Sequence, residues 1–281
     1  MKTSYISCLI IFIVICYLIY LQKTKSRIEN FGGKFSIHNL NKYWDNGIKN
    51  SNIGVVTQFT KEIYDYSKYS VKNLKYYCKK QQYKLYIFNE HLCKQVHPCW
   101  YKIILIIHLL SKHKYLVWID SDAIITNPEI RFDKFITGTY DMYVCEDISP
   151  TRTSFNSGVM IFHNNDITKK FLNSVWNYDG PHGYTPDGDQ DILNMMYKKK
   201  GPIKIKIYNM NAFNSHPRKF EKNDFILHLM VRDRNKRIQI MREFNKLLNI
   251  SNDNITINCI RNKKCLGEHK INCQCKICKS L

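Results

Sequence analysis

Tyr115-Leu116-Val117-Trp118-Ile119-Asp120-Ser121-Asp122 decides how this chain is read. A short, unbroken apolar run of this kind is a strand buried on both faces, as in parallel sheets. It runs straight into two acids. Residues two apart in extended chain point to the same side, so Asp120 and Asp122 can face one cation. Carboxylate oxygens are hard ligands suited to Mg²⁺ or Mn²⁺. Without a cation or hydrogen-bond donors, two acids at the end of a buried strand carry a desolvation cost. The carboxyl ends of strands are also where open α/β sheets bind ligands. The plainer alternative is a pair of capping acids, because Asn127-Pro128-Glu129 marks a turn nearby.

Working outward, Ile53–Phe59 reads as a strand, 61–82 as a helix and Tyr83–Phe88 as a second strand. Strand, helix, strand at this spacing is a βαβ unit. Trp100–His113 is apolar nearly all round and reads as a buried helix leading into the decisive strand. Further strands are expected at Asp141–Cys145, Gly158–Phe162 and Ile203–Tyr208. Helices are expected at Asp166–Trp176, Gln190–Lys198 and Asn235–Leu248. The fold class is therefore α/β, with a mostly parallel central sheet flanked by helices. No repeat of fixed period interrupts it.

Three more segments carry chemistry. Ser154-Phe155-Asn156-Ser157-Gly158 is a polar turn feeding a strand, where backbone can approach a ligand closely. Asp187-Gly188-Asp189-Gln190-Asp191 opens an apolar-patterned helix, and Asp189 reads as its N-cap. Phe225-Ile226-Leu227-His228-Leu229 is an apolar strand with one histidine, ordinarily a core residue. An Asp-x-Asp metal would still need ligands, and an imidazole nitrogen suits Mn²⁺ better than Mg²⁺.

Taken in order, Trp100-Tyr101-Lys102, Trp118-Ile119-Asp120-Ser121-Asp122-Ala123, Phe155-Asn156-Ser157-Gly158, Asn164-Asn165, Asp189-Gln190 and His228-Leu229 resemble the retaining α-galactosyl-, α-mannosyl- and xyloglucan α-xylosyltransferase family. Phe155–Met160 and Asp189–Asn194 are also similar to glycogenin-like retaining transferases. The resemblance spans about residues 50–245. It implies a GT-A (Rossmann-like) fold, a nucleoside-diphosphate sugar donor, a glycan or glycoprotein acceptor, Mn²⁺ (or Mg²⁺) and retention of anomeric configuration. It also implies roles by position. Asp120, Asp122 and His228 would hold the metal, with Asp120 also touching the donor. Thr57 and Gln58 would lie by base and ribose, Lys102 near the donor, and Asn156, Ser157 and Gly158 on the sugar and acceptor side. Asp189 and Gln190 would be closest to the reacting centre. After the histidine the family usually has Gly and often Lys, whereas here Val231 and Arg232 follow. Arg232 could stand in for a phosphate-binding Lys, although the two differ in geometry. Val231 lacks the backbone freedom of Gly, which opens a second reading: a catalytically weak, membrane-tethered carbohydrate- or nucleotide-binding protein of the same fold.

The ends of the chain read differently. Tyr5–Leu21 is an uncharged apolar run flanked by Lys2 and by Lys23, Lys25 and Arg27, long enough to span about 30 Å of hydrocarbon. No small-residue cleavage site follows it, so residues 1–21 read as an uncleaved signal anchor. Residues 22–50 read as a stem, 51–248 as the catalytic domain and 249–281 as a cysteine-rich tail. A single-pass protein of the secretory pathway, with its catalytic domain in an endoplasmic-reticulum- or Golgi-like lumen, follows as the expectation. Sequons at Asn249 and Asn254 agree with a luminal body, and the flanking charges leave topology open. In the tail, Cys259, Cys265, Cys273, Cys275 and Cys278 could build a structural Zn²⁺ site or pair as disulfides. The formal charge of +20 invites a polyanion. Its lysines are spread along the chain without an arginine-rich helix, which argues against nucleic acid as the partner.

Overall fold

The computed structural model describes residues 35–249, apart from 151, 187, 222, 231 and 232. The expected anchor and cysteine-rich tail lie outside the described residues, as do Val231 and Arg232. No helix among the described residues is long and apolar enough to cross a membrane.

Strand β4 (Tyr115–Ile119) sits at the centre of a seven-stranded sheet of order β1-β3-β2-β4-β7-β6-β8. Its side chains alternate between two cores. Val117 and Ile119 pack with Leu74 and Tyr77 of helix α1 (Tyr64–Gln81). Leu116 and Trp118 pack with helix α2 (Tyr101–Leu110), helix α3 (Asp166–Trp176) and helix α4 (Asp189–Lys198). Both faces are covered, which is why the strand reads as continuous apolar sequence. Helix α2 is buried on nearly every side for the same reason.

The expected βαβ unit is present: β2 (Ile53–Gln58) and β3 (Lys84–Phe88) pair in parallel, and β2 also pairs in parallel with β4. The sheet as a whole is mixed rather than mostly parallel. β7 (Phe155–His163) runs antiparallel to both β4 and β6 (Met142–Glu146). Only a short loop joins β6 to β7, too short for the crossover that parallel neighbours need. Parallel pairing resumes between β6 and β8 (Ile205–Tyr208). One consequence matters for function. β2, β4 and β6 end at the same edge of the sheet where β7 begins, so Gln58, Asp120, Asp147 and Asn156 meet there.

Two short elements were not expected from sequence. β5 (Ala123–Ile125) pairs antiparallel with β9 (Ile226–His228), placing Ala123 opposite His228. The polar segment expected as a stem is packed onto the domain from Phe35 onward, with Ile37, Leu40 and Tyr43 against the core. Its β1 (Trp44–Asp45) pairs antiparallel with β3. Helix α5 (Arg234–Asn249) closes the described chain and packs on α1.

Candidate active site

The register of β7 against β6 slips between Val144 and Cys145: Val144 faces Met160, whereas Cys145 faces Asn156. Bulges of this kind re-aim side chains, and here residues 157–159 have no partner on β6, while Val159 stays paired with Ile119 of β4. The Asp120 amide donates to the Gly158 carbonyl at 2.8 Å, holding the acids against the bulge. A Cβ on Gly158 would lie 2.0 Å from Cε1 of His228, so only glycine leaves room for the imidazole.

β9 brings His228 to the acids across the β5 ladder, and the Leu229 amide donates to the Asp122 carbonyl at 2.9 Å. His228 Nε2 lies 3.1 Å from Asp122 Oδ1 and 3.8 Å from Asp120 Oδ2. One ligand atom from each of Asp120, Asp122 and His228 falls within 4.8 Å of the others, a span that one cation can bridge. The far side of the ring fixes the tautomer. His228 Nδ1 lies 3.0 Å from Asn214 Oδ1, and the Asn214 amide is committed to donating to Asn156 Oδ1 at 2.8 Å. Nδ1 therefore carries a proton in either charge state, so Nε2 is the nitrogen that donates to Asp122 when the ring is charged and would offer its lone pair to a cation when the ring is neutral. Oxygen, oxygen and imidazole nitrogen form a donor set that fits Mn²⁺ or Mg²⁺.

Asp120 is held on its other side, with Oδ1 accepting from Trp118 Nε1 at 2.6 Å. Lys102 lies 3.1 Å from Asp120 Oδ1 and 2.9 Å from Asp189 Oδ2, and donates to the Ser157 carbonyl and hydroxyl, both at 3.2 Å. Burial makes Asp120 harder to ionise, and Lys102 and His228 only partly offset it. Burial also pushes Asp122 up, but the charge and hydrogen bond of His228 together with Arg237 hold it below the ordinary carboxylate range. His228 is raised: burial opposes its protonation, and the Asp122 carboxylate outweighs that. Lys102 is raised although burial lowers it, because Asp120 and Asp189 both face it.

Asp189 is not the N-cap expected from sequence. Gly188 takes that position, and Asp189 is the first helical residue. Its carboxylate turns inward instead, accepting from Ser157 Oγ at 2.7 Å and pairing with Lys102. Gln190 Oε1 accepts from the Ser157 amide at 3.0 Å, and its Nε2 donates to Thr153 Oγ1 at 3.1 Å. At the end of β2, Thr57 and Gln58 are buried, and Thr57 Oγ1 and Gln58 Nε2 make no hydrogen bond among the described residues. Buried polar atoms left unbonded at a strand end suit a site completed by a ligand.

These residues share one cavity of about 1130 Å³, lined by Gln58, Lys102, Asp120, Asp122, Asn156, Ser157, Gly158, Asp189, Gln190 and His228 among others. Thr57, fully buried at the end of β2, is not among the lining residues. Sequence reading missed three residues that organise it. Asp147 follows β6 as Asp120 follows β4, and accepts from Thr153 Oγ1 at 2.6 Å and Asn156 Nδ2 at 3.2 Å. An acid straight after an apolar strand was the available signal. Asn214 sits in an irregular, asparagine-rich stretch and carries none. Arg237 lies beyond every motif, on α5.

Residues 49–146 match the model of the galactosyl transferase GMA12/MNN10 family, which bears out the resemblance read from the motifs. No protein of curated function matches the sequence. A glycosyltransferase involved in the glycosylation of the major capsid of PBCV-1 has a similar fold, with a TM-score of 0.57 and 15% identity over 68% of this chain and 99% of its own. GlyE, a glycosyltransferase of Streptococcus pneumoniae TIGR4, is similar with a TM-score of 0.50 and 15% identity over 74% of this chain and 63% of its own. At such identities the likeness is one of fold.

Proposed function

We propose, for a chain that is a glycosyltransferase of GT-A type, that it moves a hexosyl or pentosyl unit from a nucleoside-diphosphate sugar to a glycan or protein acceptor, with divalent-metal dependence and retention. One observation carries this reading: Asp120, Asp122 and His228 converge at the sheet edge in the same cavity as Asp189 and Gln190. A divalent cation held by the first three would act as a Lewis acid toward the diphosphate leaving group. Thr57 and Gln58 end β2 with unbonded polar atoms suited to base and ribose. Arg232 is a further cation for the diphosphate.

The network around Ser157 prepares the sugar side. Lys102 and Gln190 clamp its carbonyl, hydroxyl and amide, and Asp189 accepts its hydroxyl proton. That rigidity holds the anomeric carbon against an acceptor hydroxyl, the alignment that supplies much of an enzyme's rate acceleration. In transfer, the bond between anomeric carbon and phosphate oxygen breaks and a bond to the acceptor oxygen forms on the same face. The acceptor proton passes to the departing phosphate oxygen. Asp189 is engaged by both Ser157 and Lys102, which favours a same-face route over double displacement through that carboxylate. Membrane anchorage through residues 5–21, with a luminal domain, completes the proposal.

The test is release of nucleoside diphosphate from a panel of sugar donors by the full chain with Mn²⁺. Asp122→Ala should abolish it. Undiminished Mn²⁺-dependent turnover by that variant overturns the metal assignment, and no turnover with any donor favours a binding protein of the same fold.

A further inference from the structure

Tyr184 is 70% exposed, the most open of the large apolar side chains among the described residues, and it lines the cavity. The other exposed ones, Trp44, Tyr64 and Tyr76 among them, are not in the cavity wall. An exposed tyrosine is ordinary by itself, so its setting decides what it can do. Its ring lies against that of His97, with centroids 5.0 Å apart and planes at 55°. The imidazole is itself fixed, its Nδ1 accepting from the Cys99 amide at 3.3 Å, and it too lines the cavity.

The loop that carries Tyr184 is tied down on both sides of it. The His97 amide donates to the His182 carbonyl at 2.9 Å, and Trp100 Nε1 donates to the Gly183 carbonyl at 3.0 Å. The Tyr184 carbonyl lies 2.1 Å from where a Cβ on Gly188 would stand, so only glycine lets the loop fold back onto the start of α4. Asp189, Gln190 and Asp191 follow at once, and Arg152 Nη2 reaches the two Asp191 oxygens at 3.1 and 3.0 Å. Tyr184 is thereby held beside the residues assigned to the reacting centre. Thr57 and Gln58, assigned to the nucleotide, end β2, two positions along the sheet from β7, to which Asn194 ties α4. The cavity of about 1130 Å³ exceeds the roughly 300–1,000 Å³ usual for one small molecule, which leaves room for a second ligand beside the donor.

A sugar ring has faces on which C–H bonds cluster, and such a face packs flat on the electron-rich face of an aromatic ring. Charged side chains beside the aromatic then meet the hydroxyls at the ring edge. Accordingly, we propose that Tyr184 is an acceptor-binding residue, a platform on which a sugar ring of the acceptor stacks so that its hydroxyl is presented beside Asp189 and Gln190. Asp191 and Arg152 form the polar rim next to it. The inference rests on the sugar-transfer reading above and names a carbohydrate, rather than a polypeptide, as the acceptor class. A flat ring with both C–H and hydroxyl groups answers this pairing of aromatic face and charged rim, whereas an extended peptide would set a single side chain against it.

The experiment uses the full chain with Mn²⁺ and a sugar donor that it turns over, adding methyl glycosides of hexoses and pentoses and their disaccharides one at a time. At least one should accelerate release of nucleoside diphosphate with saturation. Tyr184→Ala should raise the KM for that glycoside about tenfold or more, the effect of truncating an aromatic anchor, while the donor KM and the rate at saturating glycoside stay within about twofold. Tyr184→Phe keeps the ring face and should stay within about threefold of the unaltered chain. An unchanged glycoside KM in Tyr184→Ala overturns the proposal and leaves the donor reading intact. A matching rise in donor KM also overturns it, because Tyr184 would then stack on the nucleotide. Tyr184→Phe as weak as Tyr184→Ala overturns the stacking role, since the hydroxyl alone would be at work. Donor turnover that no glycoside accelerates overturns the carbohydrate assignment. Absence of turnover with any donor sinks the transfer reading and the inference together. Should Tyr184→Ala not fold, Tyr184→Leu decides: apolar bulk without an aromatic face should cost about threefold or more in glycoside KM, and no loss overturns the proposal.

Discussion

At the scale of single residues, the site depends on room left for one imidazole and on the proton that it carries. Gly158→Ala would place a methyl 2.0 Å from the His228 ring, and both atoms sit in paired strands that cannot readily yield. The ring should be displaced from Asp122, and Mn²⁺ affinity should fall at least about tenfold in a chain that still folds. Calorimetric titration with Mn²⁺, beside a circular dichroism spectrum, reads both; unchanged affinity would mean that His228 is no ligand. Asn214→Ala probes the other side of the ring. It removes the acceptor that keeps the proton on Nδ1, so Mn²⁺ affinity should drop about 10–100-fold. Binding within twofold of the unaltered chain would count against the tautomer argument. Asp120, Asp122 and His228 were legible because each ends or lies in an apolar strand where a charge needs a reason. Asn214 was not, since nothing in its neighbours distinguishes a supporting amide from a loop residue.

At the scale of elements, the site is assembled by side chains that substitute for backbone pairing. Asn194 of α4 accepts from the Ser154 and Phe155 amides at 2.8 and 3.1 Å and donates to the Phe155 carbonyl at 2.9 Å. This ties the helix bearing Asp189 and Gln190 to the first residues of β7. Asn194→Ala leaves those amides without partners, at a cost of about 2–4 kcal/mol. Urea denaturation should report that loss, and a change under about 1 kcal/mol would show that the helix docks by other means. On the opposite face, Asn73 of α1 exchanges hydrogen bonds with Ile125 at 2.7 and 3.0 Å, completing the outer edge of β5. Such bonds explain which elements could be read in advance. β2, β3, β4 and the helices have their own periodicity and were visible. β5 has three residues and exists through β9, about a hundred positions later, and through Asn73. The antiparallel course of β7 follows from a short loop, whereas the apolar run read from sequence is the same in either direction.

At the scale of the whole molecule, stability should depend on pH through histidines that folding keeps neutral. His113 shows the physical basis. It packs in the space that Gly54 leaves, where a Cβ would lie 2.5 Å from the ring. Its Nδ1 lies 2.8 Å from the Ser51 carbonyl, so Nδ1 donates, and Nε2 then accepts from the Tyr86 hydroxyl at 2.9 Å. Protonation would put a second N–H against that hydroxyl. Burial lowers the affinity of His113 for a proton, more than the Ser51 carbonyl raises it, with Lys112 adding to the depression. Burial likewise depresses His97, His108 and His216. His228 is shifted the other way by Asp122 and opposes them in part. A depressed histidine binds fewer protons folded than unfolded once pH falls below about 6.5, the unfolded value. Its contribution is therefore intact above that pH and lost progressively as pH falls toward the folded value. Each such group adds a slope of at most about 1.4 kcal/mol per pH unit in that window. The melting temperature should be flat from pH 8 to 7 and decline between about 6.5 and 5. His113→Gln should melt lower at pH 7.5 and show a shallower decline, because one titrating group has gone. A decline as steep as that of the unaltered chain would remove His113 from the account, and a rise on acidification would reverse the sign argued for all four.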